Sequence, residues 1–270
     1  MALTRRGRLR KALAEPFPEA WRDLLAEDFA HWHVLAGHER EQLERLIRLL
    51  LVDKLWEGSK GFELTDEIRV VISAMASLPI LGLDYDYYHR VTSIIVSPTT
   101  VVFEGDRHLG GGVFTDEPQR LIGQARFEGP VLIAWDAARE QARDPDQGHN
   151  VVYHELAHKL DMLGGSVDGT PPLESHTEYE RWIRVCNEEF AALRGGTGGD
   201  LLDPYGAENT GEFFAVVTEV FFDRPLQLEE EKPALYSVLR DFYRQDPASR
   251  ERRAAPAMGG ADGRVESGAG

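Results

Sequence analysis

Residues 150–163, Asn-Val-Val-Tyr-His-Glu-Leu-Ala-His-Lys-Leu-Asp-Met-Leu, constrain this chain more than any other segment. They read as one helix. Side chains four apart share a helical face, so His154 and His158 point the same way, while Val152, Leu156, Ala157, Leu160 and Leu163 make an apolar side. Such a helix has to bury its apolar side in a core and hold two imidazoles toward one point. Two nitrogens arranged like this suit one tetrahedral ion, and Glu155 stands beside them, where it acts on water rather than as a ligand. A motif this short also arises by chance; the coherent amphipathic helix around it raises it above that background. Gly164-Gly165 follows as a C-cap pair. Lys159 is the dissonant residue, a cation next to His158, which a helix turns about a hundred degrees away from the ligand face. Asp161 falls one turn further along the histidine side, either as a partner that orients a ligand histidine or as a surface carboxylate.

A catalytic ion of this type takes a third protein ligand and leaves a position open. The downstream candidates are His176, Glu188, Glu189, Glu208, Glu212 and Glu219. The extended motif with a glycine and a third histidine is excluded, because Asp161 and Gly164 occupy those places. Cys186 shares an apolar face with Tyr179, Trp182, Ile183 and Phe190, which makes it a core thiol. Glu212 is preferred because it opens the stretch Glu212–Phe222, apolar nearly all round and therefore buried. A carboxylate in such a helix is costly unless it is paired or bound to a metal. Glu219, two turns on, shares that argument and is assigned to holding a ligand histidine or Tyr205; a buried salt bridge to an arginine is the plainer alternative for either glutamate. Tyr205, in Asp203-Pro204-Tyr205-Gly206, could stabilise an oxyanion, although Pro-Tyr-Gly is also a common turn.

Around this centre the pattern is helical from Pro18 to about Ala76, with Leu43, Leu46, Leu49 and Leu50 at helical spacing and Thr65 capping the helix of Ile68 to Met75. From Val91 the residues become β-branched: 92–96, 100–103 and 130–135 read as strands, and Gly110-Gly111-Gly112 as a loop. An edge position for the strand at 130–135 would let an extended peptide pair with it. Further helices are expected at 178–193, 208–222 and 233–243. The expected organisation is a basic arm over residues 1–12, one catalytic domain over 13–245 (helical to 90, catalytic core from 91), and a disordered tail over 246–270. The tail reading rests on its Ala, Gly, Arg and Glu content.

Charge and cysteine usage narrow the function classes. Thirty Lys and Arg against 46 Asp and Glu give a net charge of −16, which leaves no surplus for neutralising phosphates and argues against nucleic-acid binding. No apolar run is long enough to span a bilayer, and the basic N-terminus has no apolar segment of a secretory signal behind it. The single cysteine excludes an internal disulfide and fits a reducing compartment, so the expected location is the cytoplasm.

Two long stretches, residues 150–162 and the run Tyr205-Gly206-Ala207-Glu208-Asn209-Thr210-Gly211-Glu212-Phe213-Phe214-Ala215, resemble the Mlc titration factor A family, zinc peptidases related to the catalytic domain of anthrax lethal factor. Leu64 to Glu67, the strand 129–136 and the Trp-rich N-terminal helices extend the resemblance to nearly everything but the first dozen residues and the tail. The resemblance implies zinc ligands at His154, His158 and Glu212, a catalytic base at Glu155 and a transition-state tyrosine at Tyr205. It also implies Lys at position 159, aminopeptidase-type activity on short peptides, a cytoplasmic location, and binding of a transcriptional repressor of the Mlc type.

The fold expected is α+β: a helical N-terminal part, a small mixed β-sheet, an active-site helix of the zincin type and a second helix bearing the glutamate ligand. The function expected is zinc-dependent peptide hydrolysis, with Glu155 as general base and Tyr205 as oxyanion donor. The alternative is a regulatory protein that sequesters a repressor and uses zinc for structure. A metal-dependent amidase or deformylase comes third, since those take a Cys ligand and Cys186 is committed to packing.

Overall fold

The structure, a computed structural model, describes residues 4–99 and 129–255. The chain begins with α1 (Arg5–Ala14), α2 (Glu19–Asp28), the short α3 (His31–Val34) and α4 (Gly37–Asp53). Leu43, Leu46, Ile47, Leu49 and Leu50 form the buried stripe of α4, as their spacing predicts. Strand β1 (Leu55–Gly58) comes next, then α5 (Asp66–Ser77), capped by the Thr65 hydroxyl, which accepts from the Ile68 N–H at 3.3 Å. Nearly all of α5 is buried, because it packs on α4 and α2 on one side and on the histidine helix on the other.

Strands β2 (Ser93–Ser97) and β3 (Val131–Ala134) complete a sheet of order β1-β2-β3. Both pairings among the described residues are parallel, with Leu55 opposite Ser93 and Ile94 opposite Val131. Parallel neighbours need a crossover, which α5 supplies between β1 and β2. The α+β architecture is as the sequence predicts; the mixed character expected of the sheet is not seen in these pairings. The expected strand at 100–103 and the Gly-rich loop lie outside the described residues. β1 was missed from sequence, since four residues at an edge carry too little periodicity. Trp135 opens α6 (Trp135–Arg143) instead of ending a strand.

The second half is helical: α7 (Val151–Asp161), α8 (His176–Arg194), α9 (Thr210–Asp223), α10 (Pro225–Glu231), α11 (Pro233–Tyr243) and α12 (Pro247–Ala254). Both ends of the described chain carry a helix. The basic arm is helical over α1: Thr4 caps it, Arg5 makes a two-pronged pair with Asp53 at 2.5 and 2.8 Å, and Leu9 and Leu13 pack on the core. Residues Pro247–Ala254, expected to be disordered, form α12 instead, where Asp246 caps the helix, Ala248 is fully buried and Arg250 reaches Glu39 at 2.7 Å. Composition averages missed both because a few well-placed contacts order a polar segment. One buried apolar cluster runs from Phe17 to Ala248. No helix among the described residues is long and apolar enough to cross a membrane.

Candidate metal centre

Helix α7 is buried along its whole length, between β3, α5, α6 and α9. Its start is fixed three ways by Asn150. The side-chain oxygen accepts from the Tyr153 N–H at 3.1 Å, the backbone N–H donates to Glu219 Oε2 at 2.6 Å, and Nδ2 donates to Asp223 Oδ2 at 3.3 Å. Helix α9 is buried from Gly211 to Asp223, because it runs through the aromatic core beside Trp182, Tyr236 and Tyr243. Asn209 caps it, accepting from the Glu212 N–H at 3.0 Å, which places the Glu212 carboxylate in the first turn, where the helix dipole favours a negative charge.

The packing of α7 on α9 brings His154, His158 and Glu212 together. His154 Nε2 lies 3.0 Å from Glu212 Oε2, His158 Nε2 3.3 Å from the same oxygen, and the two imidazole nitrogens are 3.2 Å apart. Donors on a tetrahedral ion with bonds of about 2.0–2.1 Å sit about 3.3–3.4 Å from one another. The triangle is therefore of the size that such an ion needs, and its donor set of two imidazoles and a carboxylate suits a divalent cation. These residues can hold a metal ion.

The second carboxylate of α9 completes the support. Glu219 Oε1 lies 2.7 Å from His154 Nδ1. An ionised carboxylate only accepts, so Nδ1 carries the proton and Nε2 is directed at the triangle. Burial alone would lower the pKa of His154, but the hydrogen bonds and charges of Glu212 and Glu219 outweigh it and raise it to about 10. Burial acts on Glu212 in the opposite sense, and His154 and His158 outweigh it, holding the carboxyl well below the usual carboxylate range.

Glu155 precedes Leu156 on α7 and is buried, 7% exposed. Tyr205 is half-buried on the turn Pro204–Ala207, whose Asp203 side chain accepts from the Tyr205 N–H at 2.7 Å; its ring centroid is 6.0 Å from that of His154. The remaining ligand candidates are elsewhere. His176 is exposed and pairs with Glu180, Glu189 accepts from Lys232, and Glu188 and Glu208 are on the surface. Cys186 is a core thiol, with burial pushing its pKa up to about 12.

Two neighbours of the motif behave differently from expectation. Lys159 does turn from the histidines, but into the interior, where Nζ donates to the Gly129 carbonyl at 2.8 Å. Asp161 neither touches a histidine nor reaches the surface. It is fully buried and accepts from the N–H groups of Gly169 and Thr170, both at 2.9 Å. Burial pushes its carboxyl up to about 7 against the pull of those donors. Sequence reasoning also missed His31, which meets Asp223 at 2.9 Å below Asn150. The available signal was Asp223 itself, a third acid on α9 one turn beyond Glu219.

The family profile of glucose-regulated metallo-peptidase M90 matches residues 3–244. An uncharacterized protein of Synechocystis, slr2042, is 34% identical over 244 residues, covering 89% of each chain. Proteins named Mlc titration factor A in Yersinia pestis and Yersinia pseudotuberculosis are 29% identical over 242 residues, covering 84% of this chain and 89% of theirs.

Proposed function

Because the chain belongs to the glucose-regulated metallo-peptidase M90 family, we propose that it is a zinc-dependent peptidase of aminopeptidase type, with His154, His158 and Glu212 as the ligands. The observation that carries this reading is the triangle of donor atoms 3.0–3.3 Å apart on two buried helices, with Glu155 on the same helix as the histidines. An ion held there supplies Lewis-acid polarisation of a peptide carbonyl and lowers the pKa of water to about 7.

The chain's own residues do the rest. Glu155 takes the proton of the attacking water on its carboxylate and delivers it to the departing amine. The Tyr205 hydroxyl donates to the carbonyl oxygen as negative charge develops on it. Glu219 keeps His154 in one tautomer, and Asn209 holds the backbone of Glu212. In this reading an extended peptide pairs with strand β3, which stands at the end of the sheet among the described residues. The single cysteine supports a cytoplasmic setting for this chemistry.

Glu155→Gln tests the proposal. The variant should retain zinc at one ion per chain and lose hydrolysis of aminoacyl-anilide and short-peptide substrates by about 10²-fold or more. Unchanged turnover in the variant, or a zinc-loaded wild type that cleaves no peptide, overturns it. A second reading comes from the Yersinia relatives, whose name describes titration of Mlc: this chain binds a transcriptional repressor of that type. A pull-down in which Glu155→Gln retains a repressor but cleaves nothing would separate binding from hydrolysis.

A further inference from the structure

The ligand-bearing helices run antiparallel and are fastened at both ends, with the ligands between. At one end Glu219 of α9 grips the start of α7 through Asn150 and His154. At the other end α7 stops at Asp161, one turn beyond His158, and nothing in the reaction uses this carboxylate. Its two oxygens each receive one of two successive N–H groups, Gly169 and Thr170, at 2.9 Å.

That loop lies directly on the first turn of α9. Gly169 has φ +78, and a Cβ added to it would stand 2.2 Å from the Thr210 carbonyl oxygen, so the two backbones touch. Gly211 faces Val167 and Asp161 Oδ2, which a Cβ there would meet at 3.4 and 3.6 Å. Glu212 is the next residue. The Gly169 carbonyl in turn accepts from Trp182 Nε1 at 3.0 Å, tying the loop to α8. Gly164 closes the loop's base, with its Cβ position 2.7 Å from the Thr170 carbonyl oxygen.

We propose that Asp161 is a positioning residue for the metal centre: by clasping the Gly169–Thr170 backbone it presses the loop onto Thr210 and Gly211 and so sets where Glu212 stands relative to His154 and His158. The inference rests on the reading of those three residues as metal ligands. Asn at position 161 keeps the volume but can accept at only one oxygen and turns an N–H donor toward a second donor.

The experiment titrates apo full-length chains with Zn2+ against a chelator and with Co2+ followed by its d–d absorption, in the wild type, Asp161→Asn, Trp182→Phe and His154→Ala. Far-UV circular dichroism and thermal unfolding of the metal-free proteins control for folding. Asp161→Asn should be folded, bind Zn2+ about ten-fold or more weakly, and give a Co2+ spectrum altered in position or intensity. Trp182→Phe, which releases only the other side of Gly169, should move both readouts in the same direction by less. Wild-type affinity and an unchanged Co2+ spectrum in Asp161→Asn overturn the proposal. If that variant does not fold, Trp182→Phe decides by the same two readouts. A wild type that binds no more tightly than His154→Ala overturns instead the assignment of the ligands.

Discussion

At the scale of single residues, the centre depends on carboxylates placed where burial makes them expensive. Glu212 and Glu219 both lie in a largely apolar helix, 5% and 6% exposed, and each meets His154. Their positions differ because Glu212 meets the Nε2 atoms that His154 and His158 each turn toward the triangle, whereas Glu219 meets Nδ1 on the far side of the His154 ring. On the proposed ligand set, Glu219→Gln should therefore leave His154, His158 and Glu212 in place yet weaken zinc binding by about 10–100-fold, the usual effect of losing a charged partner behind a ligand histidine. Competition with a chromogenic chelator measures it, and an unchanged affinity would rule out the supporting role. The sequence could narrow the third ligand to these acids. It could not exclude a buried ion pair with arginine, because nothing local records what an acid in a buried helix meets.

At the scale of elements, α7 and α9 are unusual in being buried on every face, including the polar one. Their apolar side chains are therefore buried all round, and capping and interhelical bonds satisfy the polar groups enclosed with them. Asn150 concentrates three of those bonds at the start of α7. Asn150→Ala removes the cap on Tyr153 and the bond to Asp223 while keeping the backbone bond to Glu219. It should cost about 1–2 kcal/mol, the upper part of the range for a lost cap, read as a lower urea midpoint with an unchanged slope. A loss within error of zero would show that the backbone bond alone sets the helix start. Helix periodicity made α4, α5, α8, α9 and α11 legible in advance within a few residues. It left α6 and α10 unread, since Trp135–Arg143 and Pro225–Glu231 are too short for a clear helical repeat.

At the scale of the whole molecule, the N-terminal helices and the C-terminal segment close on one another around the centre. Gly82 touches the backbone of the turn after α11: a Cβ there would sit 2.5 Å from the Tyr243 carbonyl oxygen and 2.7 Å from that of Arg244. Gln245 Nε2 donates to the Leu78 and Pro79 carbonyls beside it, at 2.9 and 3.1 Å. Because the obstructing atoms are backbone, Gly82→Ala has no cheap relaxation. Overpacking of this kind costs about 1–3 kcal/mol, and in a chain of this size lowers Tm by about 3–10 °C. Differential scanning calorimetry of the metal-free protein tests this, and an unshifted Tm would mean that the two segments slide freely.

By itself the sequence determined the features that near neighbours in the chain dictate: the imidazoles one turn apart, the acid Glu155 beside them, and the burial of Glu212 and Glu219 in a largely apolar helix. The family likeness added Tyr205 and the expectation of Lys at 159. Only the tertiary structure decided that Glu212 closes the triangle while Glu219 holds His154. That choice depends on the antiparallel seating of two helices some fifty residues apart. It likewise decided that Lys159 reaches Gly129 and that Asp161 clasps Gly169 and Thr170. Local periodicity records which face of a helix is apolar. The partner of a buried charge is set by long-range packing, and His154 and His158 acquire their third donor only through it.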